Sequence, residues 1–217
     1  MVAQTMKRQR RGTQPTSTSQ FKRRRTNAKP ITKRSVDTGH VDLAVANYAC
    51  DTTGSITLLT TIPQNASQNG RIGKKVMLRS LQCRGVLNGN AAVTKTDVAY
   101  LIVYDKRPNG LPAITEILDS IDAGSLNNDD NTSRFTILKR VDDVLVGSVA
   151  NQLTPSSMKN ADWFLPINRI QTYNSLGTGA ILDIQEGALY LVTVGGSAAG
   201  TAAGQLTVRF RTRFEDI

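Results

Sequence analysis

Short runs of Val, Ile, Leu and Thr, interrupted by clusters of Gly, Asn, Asp and Pro, fill the sequence from residue 37 to residue 217. Runs of this length, bounded by turn residues, are typical of β-strands. The pattern predicts strands at 41–49, 55–62, 74–88, 97–105, 134–146, 163–173, 186–195 and 204–215. The glycine-rich stretch GGSAAGTAAG at 195–204 predicts a flexible hairpin loop. We therefore expect an all-β chain.

Two of the predicted strands differ in their apolar pattern. In 204–215 the residues Leu206, Val208, Phe210 and Phe214 alternate with Thr207, Arg209, Arg211 and Arg213, which predicts one apolar and one cationic face. AYLIVY at 99–104 is apolar on both sides, which is typical of a strand covered by a second sheet or by a neighbouring molecule. A two-layer antiparallel β-sandwich accounts for both patterns, and an eight-stranded single jelly roll is a leading candidate.

One segment has a helical pattern. In AITEILDSI, residues 113–121, Ile114, Ile117, Leu118 and Ile121 recur at i, i+3, i+4 and i+7 just after a proline. This spacing predicts a short helix within a loop.

Charge is segregated along the chain. The first 36 residues contain no Asp or Glu, and their basic residues are Lys7, Arg8, Arg10, Arg11, Lys22, Arg23, Arg24, Arg25, Lys29, Lys33 and Arg34. All 17 acidic residues follow, so the net charge of +10 arises entirely from this segment. A segment so charged and so poor in apolar residues cannot offset the entropy cost of ordering. We expect a disordered basic arm at 1–36 and one folded domain at 37–217.

Phosphates are the expected ligands of such an arm, because Lys and Arg on a disordered segment bind polyanions through counterion release. Phe21 is the arm's one aromatic residue, so charge rather than base stacking should dominate. We predict nucleic-acid binding by the eleven arm residues and by Arg209, Arg211 and Arg213. The alternative is a basic tail that acts only as a solubilising or nonspecific surface feature.

The basic clusters of the arm also resemble a bipartite nuclear localisation signal. Pairs at 7–8 and 10–11 are separated by the residues 12–21 from KRRR at 22–25. The spacing predicts a nuclear import receptor as a second partner.

Patterns that would indicate catalysis or metal binding are weak. His40 is the one histidine, and no nucleophile lies near it in the sequence. Cys50 and Cys83 lack the spacing of a zinc site, and NNDDN at 127–131 lacks the spacing of an EF-hand, so buried thiols and a polar turn are favoured. We expect no enzyme, no catalytic residue, no metal and no cofactor. With no secretory signal and no apolar run near ~18 residues, we also expect no membrane partner.

Two blocks resemble the capsid proteins of geminiviruses and of related small circular single-stranded DNA viruses. They are AYLIVYDKRPNGLPAITEILDS at 99–120 and NNDDNTSRFTILKRVDDVLV at 127–146. In those capsids a strand ending in a VYDRRP-type motif leads to a Gly/Pro turn, a short helix and an Asn/Asp turn. EGALYLVTVGGSAAGTAAGQLTVRFRTRFEDI at 186–217 is similar to their last two strands.

The resemblance implies a jelly roll that self-assembles into an icosahedral shell of about sixty copies around circular single-stranded DNA. It also implies that the arm faces inward and directs import into the host nucleus, so that the protein occurs in the virion and the nucleus. The Cys/His arrangement proposed to bind zinc in geminivirus capsids is not matched, since this chain has one His and no CxxC. The alternatives are a cellular nucleic-acid-binding β-sandwich with a basic tail and, last, a lectin, for which aromatic residues are scarce.

Overall fold

A computed structural model describes residues 38–89, 95–146, 157–174, 177–198 and 204–217. The predicted arm, with its eleven basic residues, and residue 37 at the predicted domain boundary lie outside the described residues. In chain order the strands are β1 (Thr38–Cys50), β2 (Ser55–Leu58), β3 (Lys75–Asn88), β4 (Thr96–Asp105), β5 (Phe135–Leu145), β6 (Met158–Asn160), β7 (Trp163–Tyr173), β8 (Ile184–Glu186), β9 (Ala188–Gly195) and β10 (Gly204–Asp216). Between strands, the described residues include one α-helix, α1 (Ile114–Ile117), and 3-10 helices at Asp129–Asn131 and Ile181–Asp183.

The strands form two antiparallel sheets. The six-stranded sheet has the order β1-β10-β3-β7-β8, with β6 also paired to β3, and the four-stranded sheet has the order β2-β9-β4-β5. The first strand therefore pairs with the last, from Thr38 opposite Glu215 to Cys50 opposite Gly204. Successive long strands mostly pass from one sheet to the other. This is the strand order of a jelly roll, and the predicted fold class is confirmed.

Each of the eight predicted strands overlaps a strand of the structure. The pattern did not predict β6 and β8, which are three residues each and too short to show alternation. Gly187, with a φ of +82°, separates β8 from β9 within the predicted strand 186–195. A Cβ atom at this position would lie 2.2 Å from the carbonyl oxygen of Ile170, so the turn requires glycine.

Side chains from both sheets form the main core. Leu78 and Leu81 of β3, Phe210 of β10 and Tyr190 of β9 are fully buried there. Trp163 packs against Phe210 with the ring centroids 6.1 Å apart, and its indole N–H donates to the Tyr100 hydroxyl at 3.1 Å. Burial of these apolar side chains holds the two layers together.

Strand β4 is buried on both faces. Val98, Tyr100 and Ile102 point into the core between the sheets. On the other face, a second apolar cluster joins Ala99, Leu101 and Val103 of β4 to Ile114, Ile117 and Leu118 of the β4–β5 connection. The chain itself therefore covers the outer face of the four-stranded sheet. The sequence pattern alone was also compatible with coverage by a neighbouring molecule.

The predicted helix at 113–121 is longer than the observed one, which ends at Ile117. Leu118 has extended backbone angles (φ −118°, ψ 152°) and pairs with Asn127 in a β-bridge. The Asp119 N–H then donates to the Leu126 carbonyl oxygen at 3.0 Å. This pairing keeps Leu118 fully buried but leaves Ile121 37% exposed. Within the described ranges, no helix is long and apolar enough to span a bilayer.

A buried arginine ties the β2–β3 connection to β7. Arg71 is fully buried, and its guanidinium carbon lies 3.9 Å from the centroid of the Tyr173 ring. Its Nη1 donates to the Gly73 carbonyl oxygen at 2.7 Å. The ring face and the carbonyl replace part of the hydration that burial removes from the cation.

Candidate nucleic-acid interface

The outer face of β10 carries three of the predicted binding residues. Arg209 and Arg211 are exposed and Arg213 is half-buried. The alternate side chains, Leu206, Val208, Phe210 and Phe214, are at most 1% exposed and face the core. Since β10 lies between β1 and β3, the three arginines project from an interior strand of the six-stranded sheet, next to its edge.

Strand β3 adds a fourth arginine that sequence reasoning missed. Arg209 lies directly opposite Arg84, and Arg211 lies opposite Gln82. Directly opposed Cβ atoms are about 4.5–5.5 Å apart, a distance at which like charges destabilise a sheet. These four residues line a surface depression of about 170 Å³, which we call the arginine depression. The pairing of β10 with β3, two strands that are distant in the sequence, creates the arginine depression. No local sequence pattern therefore indicates it.

One arginine of the depression has a carboxylate partner. Arg211 donates from Nε to Asp42 Oδ1 at 2.6 Å and from Nη2 to Asp42 Oδ2 at 2.5 Å. These hydrogen bonds lower the pKa of Asp42 and raise the pKa of Arg211. No carboxylate of the described residues forms an ion pair with Arg84 or Arg209. The depression therefore retains positive charge that an anion can neutralise.

Arg213 lies farther along β10, in the same sheet. This residue lies opposite His40 on β1 and Ser80 on β3, and it too has no carboxylate ion pair in the part of the chain described. Arg79, by contrast, forms an ion pair with Glu215. Arg84, Arg209 and Arg213 are thus among the cations of this sheet that no carboxylate of the described residues pairs with.

Guanidinium groups on an open sheet are suited to phosphate. Each presents a planar fork of N–H donors that can bind two phosphate oxygens at once. Such contacts position a nucleic acid without distinguishing its bases. The arrangement can therefore hold a phosphate backbone of any sequence.

The residues considered for catalysis or metal binding are not brought together. Cys50 and Cys83 are buried free thiols, and burial raises the pKa of each to about 12. Asp130 lies in a 3-10 helix, where its N–H donates to the side chain of Asn128 at 3.0 Å, so this segment forms a polar turn. Across the described ranges, no three His, Cys, Asp or Glu residues are grouped as metal ligands.

The first two sequence blocks that carry the family resemblance meet at the end of β4. Buried Asp105 accepts hydrogen bonds from Arg134 Nε at 3.1 Å and Nη2 at 2.9 Å, and from the Arg107 N–H at 2.9 Å. Arg134 Nη1 also donates to Glu116 Oε2 at 2.8 Å. Since a buried carboxylate requires such partners, the network fixes β4, the start of β5 and α1 together. Its role is structural.

The chain is similar in sequence to known viral coat proteins. The model of the geminivirus coat protein/nuclear export factor BR1 family matches residues 1–217. The capsid protein of Tobacco yellow dwarf virus (strain Australia) is 25% identical over 187 residues, which is 76% of this chain and 72% of that relative.

Among solved structures, that of desmodium yellow mottle tymovirus aligns with 82% of this chain and 86% of its own, at 12% identity and a TM-score of 0.34. That of infectious bursal disease virus Gx strain aligns with 82% of this chain and 33% of its own, at 11% identity and a TM-score of 0.30. The family match spans every residue of the sequence. The chain therefore belongs to the geminivirus coat protein/nuclear export factor BR1 family, and it is a viral capsid protein.

Proposed function

We propose that this capsid protein packages single-stranded DNA, with the arm at 1–36 and the outer face of the six-stranded sheet holding its phosphates. The observation that carries the proposal is the segregation of charge: eleven basic and no acidic residues lie within the first 36 positions. Counterion release from a polyanion provides the free energy of binding for such a segment.

The folded domain supports the same function through its surface charge. Arg84 and Arg209 face each other across β3 and β10 at a cost in sheet stability. A phosphate between them removes the repulsion, because each guanidinium then has an anionic partner. Binding to the sheet therefore adds to binding by the arm.

Exposed apolar side chains support self-assembly. They include Ile72 and Leu182, each 75% exposed, and Leu126, which is 74% exposed. Burying such side chains between copies contributes about 25 cal/mol per Å² of apolar surface. We infer a closed icosahedral shell of about sixty copies, in which these side chains contribute to subunit contacts.

Filter binding to single-stranded DNA over a series of salt concentrations tests the role of the arm. The variant is the full chain with all eleven basic residues of 1–36 changed to Gln. We expect it to lose most of its affinity, and the slope of log affinity against log salt to become much shallower. Equal affinity of variant and native protein would refute the proposal.

A matched pair of triple variants tests whether the position of the basic residues matters, or only the net charge of the chain. Changing Arg23, Arg24 and Arg25 to Gln removes the same charge as changing Lys74, Lys95 and Arg107, which are exposed in the folded domain. We expect the arm variant to bind less tightly than the domain variant. The two should differ little in their circular dichroism spectra.

Negative-stain electron microscopy of the purified protein tests assembly. We expect uniform closed particles whose nucleic acid becomes DNase-sensitive once the particles are opened. Particles containing only RNase-sensitive cargo would contradict DNA packaging, and a protein that never forms closed shells would contradict assembly.

Nuclear import is a separate function of the same segment. We expect a fluorescent fusion of the full chain to enter nuclei, and Arg23, Arg24 and Arg25 changed to Ala to reduce its entry. An unchanged distribution of the triple variant would remove import from the proposal.

A further inference from the structure

Phe164 of β7 is an exposed aromatic side chain beside the arginine depression. It is 60% exposed, whereas Trp163 and Leu165 on either side of it pack against the core. Strand alternation explains the direction of the ring, because the neighbouring positions face inward. No aromatic neighbour packs against it within the described residues. Among the described residues, most of the surface of this large apolar side chain is therefore left without packing.

The register places this ring in one row with the depression. Asp42, Arg211, Gln82 and Phe164 lie opposite one another on β1, β10, β3 and β7. Arg84 is one step diagonal from Phe164, since Gln82 is the partner of Phe164 and Arg84 lies two residues along β3. Diagonal neighbours are about 7–8 Å apart, within reach of aromatic and long side chains. One nucleotide can thus contact both groups.

We propose that Phe164 stacks on an unpaired base of single-stranded DNA whose phosphate is held by Arg84 and Arg209. This inference rests on the proposed function and adds a base-contacting residue to it. Proteins that bind single strands without sequence preference combine a cationic surface with aromatic rings, because every base offers a π-face. The sheet has both groups at neighbouring positions.

The same arrangement discriminates against a duplex. In double-stranded DNA each base is already stacked and paired, so its face is not available to a ring on an open sheet. The charges would bind either form, but Phe164 adds free energy only for the single strand. We therefore expect a preference for unpaired bases.

Charge also argues against a second copy of this chain as the occupant of the face. A protein partner would bury Arg84 and Arg209, and a buried cation without a carboxylate costs several kcal/mol. Asp162, which precedes β7, accepts a hydrogen bond from the Gly85 N–H at 3.2 Å and forms no ion pair with Arg84. A phosphate backbone supplies the missing negative charge directly.

The test compares two single strands that carry the same number of phosphates. One is an oligothymidylate of about twelve nucleotides, within the usual range of binding-site sizes, and the other is an abasic strand of equal length. We expect the native full-length protein to bind the oligothymidylate roughly tenfold more tightly. Phe164→Ala should abolish this preference, by lowering affinity for the oligothymidylate to about that for the abasic strand.

Three further variants separate stacking from charge and from the arm. Phe21→Ala removes the one aromatic residue of 1–36, and Leu126→Ala removes an exposed apolar side chain over the four-stranded sheet. Both should keep the preference for bases. Arg84→Gln should weaken binding to both strands, because it removes a phosphate contact.

A direct readout comes from Phe164→Trp. We expect the emission of this exposed indole to be quenched by oligothymidylate but not by the abasic strand, while Trp163 in the native protein supplies the background signal. A base preference that survives in Phe164→Ala would overturn the inference, even if that variant assembles poorly. If the native protein binds neither strand, the proposed packaging function itself fails.

Discussion

Ion pairs of single residues determine how much unpaired positive charge the outer face of the six-stranded sheet carries. Arg84 and Arg209 have no carboxylate ion pair among the described residues, whereas Arg211 is held by both oxygens of Asp42. The ion pair is exposed, so it contributes little to folding stability. We expect its larger effect to be on the proposed binding, because a phosphate that approaches Arg211 would compete with Asp42.

Changing Asp42 to Asn should therefore strengthen DNA binding. The variant keeps the size of the side chain and removes one negative charge, so we expect higher affinity and a salt slope steeper by about one phosphate contact. Asp142→Asn on the four-stranded sheet is the control and should change neither quantity.

The pH dependence of this effect follows from the pKa of Asp42. Arg211 lowers that pKa from its ordinary value of 3.8, so the carboxylate stays ionised at mildly acidic pH and is protonated only as pH falls through the lowered value. Filter binding at pH 7 and pH 5 should show the same difference between native protein and Asp42→Asn. A difference that disappears by pH 5 would contradict this account of the site.

At the scale of secondary-structure elements, the β4–β5 connection acts as a cover. Its residues Ile114, Ile117 and Leu118 pack on the outward side chains of β4, on the side of the four-stranded sheet away from the core. The end of this cover is fixed by the network of Asp105, Arg134 and Glu116. Two kinds of variants test these contacts.

Leu118→Ala should destabilise the fold much more than Ile121→Ala. Leu118 is fully buried, so its truncation should reduce the free energy of unfolding by about 2–5 kcal/mol. Ile121 is 37% exposed and should lose about 1 kcal/mol or less. Urea denaturation of the two full-length variants measures both values. Equal losses would favour the continuous helix that the sequence pattern predicted.

The ion-pair network gives a second contrast. Arg134→Met leaves the carboxylate of Asp105 buried without its cation, which should cost about 3 kcal/mol. Glu116→Gln changes a carboxylate that is 41% exposed and should cost well under 1 kcal/mol. The midpoint of urea unfolding should shift clearly in the first variant only, and a comparable shift in both would argue against Asp105 as the centre of the network.

The elements were predictable from sequence where a local pattern encodes them. Alternation in 204–215 identified β10 and the direction of its arginines, and the apolar run at 99–104 identified β4 as covered on both faces. Arg84 and Phe164 were missed, because their proximity to Arg211 depends on the pairing of β3 with β10 and β7. The end of α1 was missed because the bridge between Leu118 and Asn127, a tertiary pairing, overrides helical periodicity.

At the scale of the whole molecule, the folded domain has a complete apolar interior within one chain. Both faces of β4 are covered by residues of the same subunit, and the core between the sheets is filled from both sides. We therefore expect the domain to fold without a neighbouring copy. In the shell proposed above, subunit contacts would then form between domains that are already folded.

Dissociation of assembled particles should consequently leave the subunits folded. When shells are taken apart by high salt, we expect sedimentation velocity to show small species while the near-ultraviolet circular dichroism of the buried Tyr and Trp side chains is retained. Loss of that signal at the same salt concentration as loss of particles would show that folding depends on assembly.

Coverage of the four-stranded sheet by the β4–β5 connection of the same chain has a consequence for the proposed assembly. If copies assemble as proposed, they meet with this apolar surface already shielded, so it cannot drive non-specific association of free subunits. The contacts of the proposed shell can then be individually weak, because many copies act together.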